Sequence, residues 1–103
     1  MMTEINELKE RIRKAEEKRV GDIYSECVKR GCTEGFLKTF DTRIWLYPLN
    51  QTIFFLDVIN KHGNNYNTKE RLKQWEIYLK VILEKRPNHE KADEWREALK
   101  LLK

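Results

Sequence analysis

The chain has 103 residues, of which 40% are hydrophobic and 37% are charged, and its formal net charge is +4. This length suits one domain with one modest core, and four Phe, four Tyr and three Trp argue against a disordered chain. The balance of 21 basic and 17 acidic residues does not by itself indicate a nucleic-acid partner. Because four Gly and two Pro leave few breaks, we expect a single all-α domain over residues 1–103.

The composition also bears on where the protein works. Two cysteines, Cys27 and Cys32, are too few for the disulfide framework of a small secreted protein, and the polar N-terminus is unlike a signal segment. The apolar run 44–59 is shorter than the ~20 residues that a membrane span needs. We therefore expect a soluble cytoplasmic protein that does not enter a membrane. The abundance of Lys, Ile, Asn, Tyr and Phe is typical of an AT-rich genome, such as that of a bacterium or a mobile element.

The first predicted helix covers about residues 3–20 and carries a narrow apolar seam. The seam is formed by Ile5, Leu8 and Ile12. A second apolar series, out of phase with the first, ends at Gly31, a residue type that commonly follows a helix. Either the helix breaks near Gly21 or its first half projects from the domain. A projecting seam suits a partner helix, so one expectation is a homodimer through this helix, and the alternative is packing on the chain's own core.

Residues 22–40 resemble a degenerate helix-turn-helix, in which a small residue precedes a turn glycine by four positions. The residues that fit the motif are Cys27, Gly31, Cys32, Leu37 and Phe40. The resemblance implies DNA binding through Thr33, Lys38, Thr39 and Arg43. Against it, Glu26 and Arg30 occupy positions that are usually apolar in the motif, and phosphate binding needs several basic side chains. The alternative interpretation is a plain αα-corner.

Segment 43–47 is rich in residues that favour an extended chain, and the residue before a proline avoids the helical region. We therefore expect an extended linker or irregular turn here. Because side chains alternate along an extended segment, Trp45 and Tyr47 are expected to point outward as interface anchors, with Tyr66 in the turn that follows the next helix. The alternative is that Trp45 closes the end of the helical core.

The most apolar predicted helix covers about residues 49–62, after Pro48 and before Gly63. Its apolar residues cover most of the circumference, which predicts a buried helix at the centre of the fold. Two further predicted helices, 68–86 and 89–102, are joined by a short turn, so we expect an antiparallel hairpin. The expected architecture is a small bundle of four to five helices around the central apolar helix.

No pattern in the sequence indicates an active site, a cofactor or a metal site. Cys27, Cys32, His62 and His89 come from separate elements and lack the paired spacing of zinc ligands. Asp57 lies within the apolar run and is either a buried carboxylate or the solvent-facing edge of its helix. We interpret the chain as a non-catalytic protein–protein interaction module, a small regulatory, adaptor or inhibitor protein, with DNA binding as the alternative.

Overall fold

A computed structural model describes residues 20–63 and 66–103, together with Glu7. The helices are α1 (residues 20–30), α2 (Glu34–Leu46), α3 (Pro48–His62), α4 (Tyr66–Lys85) and α5 (Ala92–Leu101). The described part of the chain contains no strand, and its buried side chains form one hydrophobic core. The predicted all-α bundle is therefore confirmed. The predicted helix over residues 3–20 lies, apart from Glu7 and Val20, outside the described residues.

A glycine corner ends α1. Gly31 has a φ of +118°, in the region that favours glycine because a side chain there is strained. Its amide donates to the Val28 carbonyl at 3.2 Å, and the Cys32 amide donates to the Cys27 carbonyl at 2.9 Å. These two hydrogen bonds form a Schellman motif, which satisfies carbonyls at the helix end. Only three residues, 31–33, therefore separate α1 from α2.

Replacing Gly31 with alanine is expected to destabilise the fold by about 1–2 kcal/mol, because an L-residue is strained at this φ. A Cβ would meet only Ile77 Cδ1 at 3.9 Å, so the penalty is conformational rather than steric. The matched control is Gly35→Ala in the first turn of α2, where nothing lies within 4 Å of the new Cβ. The control is expected to stabilise the fold by up to about 1 kcal/mol. Urea denaturation measures both changes, and equal signs would contradict this explanation.

α2 continues through residues 43–46, so the expected extended linker is wrong. Ile44 is fully buried, and its carbonyl accepts the indole N–H of Trp95 at 2.9 Å. This tertiary packing outweighs the preference of the side chains for extended structure. The restriction imposed by proline acts on Tyr47 alone, which leaves the helical region with φ −147° and ψ 62° before α3 begins at Pro48.

α4, rather than α3, is the most deeply buried helix. Its fully buried side chains are Trp75, Tyr78, Leu79, Val81 and Ile82. α3 contacts α2, α4 and α5, as expected of a central helix, but its most buried side chains include Gln51 and Thr52. Ile53 and Phe54 face solvent. The prediction that residues 49–62 are buried over most of their circumference is therefore wrong.

The predicted helices 68–86 and 89–102 correspond to α4 and α5, which pack on each other and on α3. α5 begins at Ala92, later than expected, because the preceding residues form turns in which His89 Nδ1 accepts the Lys91 amide at 3.0 Å. One face of α5 then enters the core, and its buried side chains are Ala92, Trp95 and Ala98.

Two buried tryptophans join helices through their indole N–H groups. Trp75 of α4 donates to the Thr52 hydroxyl of α3 at 2.8 Å, and this hydroxyl donates to the Pro48 carbonyl at 2.9 Å. Trp95 of α5 donates to the Ile44 carbonyl of α2. Among the described residues, every buried side-chain nitrogen and oxygen has a hydrogen-bond partner. The core therefore contains a few buried polar groups, and each of them forms a hydrogen bond.

Two ion pairs fasten α1 to the C-terminal end of α4. Arg86, just after α4, donates to both carboxylate oxygens of Asp22 at 3.0 and 3.2 Å. Arg30 donates to both carboxylate oxygens of Glu84 at 3.3 and 2.7 Å. Asp22 and Gly21 both lie within the helical residues 20–30, so no break follows Gly21. The residues before Val20, on the other side of the considered break, lie outside the described part of the chain.

These ion pairs predict a pH-dependent part of the stability. Hydrogen bonds from Arg86 lower the pKa of Asp22, and hydrogen bonds from Arg30 lower the pKa of Glu84. Because the native pKa values lie below the unfolded ones, the contribution is present above about pH 5 and is lost as the pH falls through the native values. Both carboxylates are largely exposed, so solvent screening keeps the effect small. We expect Asp22→Asn combined with Glu84→Gln to lower the urea midpoint at pH 7 and to lower it less at pH 3. An equal loss at both pH values would contradict a charge effect.

Candidate interaction surface

The solvent-facing side of α3 carries two large apolar side chains. Successive helix residues are rotated by about 100°, so packing of Thr52 and Phe55 against the core directs Ile53 and Phe54 outward. Ile53 is 49% exposed and Phe54 is 60% exposed. Leu46 at 58% and Tyr47 at 41% lie immediately before α3. We name Leu46, Tyr47, Ile53 and Phe54 the interaction face.

Polar residues border the interaction face along α3. Asn50 and Asp57 are exposed one turn before and one turn after its centre. Asp57 forms an ion pair with Lys61 at 3.1 Å, so the pair adds no net charge to this side of the helix. Of the two readings of Asp57, the solvent-facing edge of the helix is therefore confirmed. An apolar centre with a polar rim is the usual anatomy of a protein–protein interface.

Of the predicted aromatic anchors, Tyr47 lies on the surface and Trp45 does not. Trp45 is half-buried, and its ring lies 5.8 Å from that of Trp95 and 5.3 Å from that of His89. Trp45 packs against the core, as the alternative expected, because the segment is helical rather than extended. Its role in an interaction stays a prediction. Tyr66 begins α4, but its side chain is not among those that the structure describes. The seam residues Ile5, Leu8 and Ile12 lie outside the described residues. These four remain predictions.

The residues predicted for DNA contact follow the corner between α1 and α2. Thr33, Lys38 and Thr39 are exposed, but the Thr33 hydroxyl already accepts the Phe36 amide as the N-cap of α2. Arg43 is half-buried, and its guanidinium lies 4.9 Å from the centre of the Phe40 ring. The residues assigned to the motif's inner face, Cys27, Cys32, Leu37 and Phe40, are all buried. Lys38 is a basic residue on the exposed side of α2, and the DNA-binding role of these residues stays a prediction.

Many basic side chains in the described part of the chain form ion pairs with nearby acidic side chains. Ion pairs within 4 Å involve Arg30, Lys61, Lys80, Arg86, Lys91, Arg96 and Lys100. Several of these pairs link residues three or four apart on one helix, which stabilises helices by a few tenths of a kcal/mol each. A polyanion would have to compete with these carboxylates for the basic groups.

A cluster of two tyrosines and one aspartate, which the sequence did not reveal, joins three helices. The Tyr78 hydroxyl of α4 donates to Asp41 of α2 at 3.4 Å, and the rings of Tyr78 and Tyr24 of α1 meet edge to face at 6.3 Å. Burial is the main cause that raises the pKa of both Tyr24 and Tyr78 above the ordinary value. Both phenols therefore stay protonated at neutral pH, where they serve as hydrogen-bond donors rather than as bases.

No group of three or more potential metal ligands occurs among the described residues. No protein-family model, curated protein or solved structure matches the chain. In residues 20–63 and 66–103, none of the helices has both the length and the apolar character needed to cross a bilayer. The interaction face is therefore the feature from which we infer a function.

Proposed function

We propose that this protein is a non-catalytic protein–protein interaction module of the cytoplasm, a small regulatory, adaptor or inhibitor protein. The observation that carries the proposal is the interaction face, where Ile53 and Phe54 stand 49% and 60% exposed on a helix whose other side packs in the core. Large exposed apolar side chains that neighbour each other on a helix commonly mark binding sites for other proteins. The two cysteines are unpaired, which suits a reducing compartment.

Energetics support the same proposal. Fully burying a side chain of the size of Ile or Phe is worth roughly 1.5–3 kcal/mol, and about half of that remains to be gained at each exposed position. The Asp57–Lys61 pair leaves the rim electrically neutral, so we expect a partner surface with an apolar centre and neutral polar edges. Steering by long-range charge is not expected, and binding should depend only weakly on salt.

The test is affinity capture from a lysate of the native host, with and without nuclease. The matched variants are Ile53→Ser with Phe54→Ser on α3 and, as the control, Val28→Ser on α1, where Val28 is also exposed. We expect the double variant to capture about one tenth of the partner that the wild type captures, or less. A loss of about 1.4 kcal/mol in binding free energy is enough for this factor of ten. The control should retain the partner, and nuclease should not release it. Equal retention by all three proteins would contradict the proposed face.

A homodimer through the predicted helix of residues 3–20 is a specific form of this proposal. The apolar seam of Ile5, Leu8 and Ile12 is its basis in the sequence. Sedimentation at high protein concentration measures it directly. A dimer that Leu8→Asp converts to a monomer is the expected result, whereas a monomer unchanged by Leu8→Asp removes this form and leaves the α3 proposal standing.

DNA binding through the corner of α1 and α2 is the second candidate. Burial of Cys27, Cys32 and Phe40 on the inner side of the corner favours it, whereas the dispersed ion pairs favour a protein partner. Fluorescence anisotropy with duplex DNA, over a series of salt concentrations, decides between them. Binding that falls steeply with salt and weakens in Lys38→Ala supports the DNA candidate. Undetectable binding at low salt removes it.

A further inference from the structure

The two cysteines lie side by side because of the corner that ends α1. A Schellman motif commonly brings two side chains into contact. One belongs to position C3, in the last turn of the helix, and the other to position C″, the second residue after the helix cap. Cys27 and Cys32 occupy these two positions, as the 2.9 Å hydrogen bond from the Cys32 amide to the Cys27 carbonyl shows. Both side chains lie in the buried core, and the Cys32 thiol donates to the Gln74 backbone carbonyl at 3.4 Å.

The two thiols are not equivalent. The hydrogen bond with Cys27 lowers the pKa of the Cys32 thiol, with burial acting in the opposite sense. The hydrogen bond with Cys32, reinforced by burial, raises the pKa of the Cys27 thiol. Cys32 also keeps a small exposed fraction, 5%, whereas Cys27 keeps none. Since the thiolate is the reactive form of cysteine, Cys32 is the more reactive of the two.

We infer that Cys27 and Cys32 form a redox modification site, at which a hydroperoxide converts the two thiols into an intramolecular disulfide. The inference is independent of the proposed interaction face, because it rests on contacts at the corner and with α4. The sequence spacing alone does not predict that the two cysteines are close, because residues five positions apart on a regular helix point to different sides. The Schellman turn at Gly31 brings the two together.

The reaction balances without a metal or a cofactor. The Cys32 thiolate attacks one peroxide oxygen, the O–O bond breaks, and Cys32 becomes a sulfenic acid while the other oxygen leaves as hydroxide. The Cys27 sulfur then attacks the Cys32 sulfur, the S–S bond forms, the S–O bond breaks, and the thiol proton leaves with the oxygen as water. Two thiols are oxidised by two electrons in total, and one hydroperoxide is reduced.

Oxidation changes the contacts of the corner in a defined way. The Cys32 S–H group that donates to the Gln74 carbonyl is lost. The Gln74 side chain still accepts the Thr33 amide at 3.0 Å, so the corner stays attached to α4. We therefore expect the oxidised protein to keep its helical fold, with a covalent bond across the end of α1.

The experiment treats the full-length reduced protein with hydrogen peroxide and measures intact mass, free thiols and peptide connectivity. The expected product has lost two hydrogen atoms, has no free thiol, links Cys27 to Cys32 within one chain, and reverts with dithiothreitol. Cys27→Ala is expected to stop at a sulfenic acid on Cys32, which dimedone traps. Cys32→Ala is expected to react more slowly than Cys27→Ala, because its remaining thiol, that of Cys27, has no exposed surface whereas Cys32 keeps 5%.

Circular dichroism of both alanine variants checks that they fold. If either does not, the wild-type peptide map decides. Two free thiols after peroxide treatment, a disulfide only between chains, or equal reaction rates of the two folded variants would each overturn the assignment of this site.

Discussion

Replacing Trp95 with alanine is expected to destabilise the protein by about 3–5 kcal/mol, the usual cost of removing a buried tryptophan. Trp95 is fully buried on α5, its ring stacks on His89 at 5.1 Å, and its N–H donates to the Ile44 carbonyl of α2. A domain of this size has a total stability of about 5–15 kcal/mol, so the variant should lose a large share of it. Urea denaturation followed by circular dichroism measures the change.

The matched control is Glu97→Ala, two residues further along α5. Glu97 is exposed, and its contact with Lys100 is an ion pair of 3.5 Å between residues one turn apart. The control should change the stability by less than about 0.5 kcal/mol. A loss below about 1 kcal/mol in Trp95→Ala would contradict the view that α5 is held to α2 through this side chain.

Replacing Thr52 with valine is expected to cost about 1–3 kcal/mol, although the two side chains have nearly the same shape. The Thr52 hydroxyl is the acceptor for the buried N–H of Trp75, and valine leaves that donor without a partner in the core. The measurement is again the free energy of unfolding in urea. A blue shift of the tryptophan fluorescence is the expected spectroscopic sign, because the indole N–H loses its hydrogen bond.

Thr39→Val supplies a close control. The Thr39 hydroxyl donates to the carbonyl four residues earlier, Gly35, at 2.7 Å, just as Thr52 donates to Pro48 at 2.9 Å. Thr39 is exposed on α2, so its carbonyl partner can bond to water after the change. The difference between the two valine variants therefore reports the Trp75 hydrogen bond, and equal losses would show that this bond contributes nothing.

Three helix ends were predictable from the sequence, because single residue types dictate them. Gly31 and Gly63 adopt positive φ values of +118° and +77°, and Pro48 begins a helix, as their chemistry requires. Residues 43–46 were predicted wrongly, since their intrinsic preference is extended and only the burial of Ile44 reverses it. That burial depends on α5, which lies some fifty residues away in sequence.

The orientation of α3 was not predictable from its own sequence. A helix that is apolar on most sides has no preferred inward face, so the partner helices select one. Trp75 selects Thr52 because its indole needs an acceptor, and Phe55 follows into the core beside Phe40 and Trp75. Ile53 and Phe54 are then left outside. The predicted anchor Tyr47 is exposed as expected, but most of the interaction face was missed for this reason.

The ion pairs between α1 and the end of α4 bear on the order in which the protein folds. They join residues 54 and 64 positions apart, so α1 closes a loop that contains α2, α3 and nearly all of α4. Contacts across long loops form late, since the entropy of closing the loop must be lost first. We expect α1 to dock after the other helices and to detach first, so that its amides exchange with solvent before those of α4. Each detachment briefly opens Cys27 to solvent, which gives small oxidants a route to the thiols at the corner.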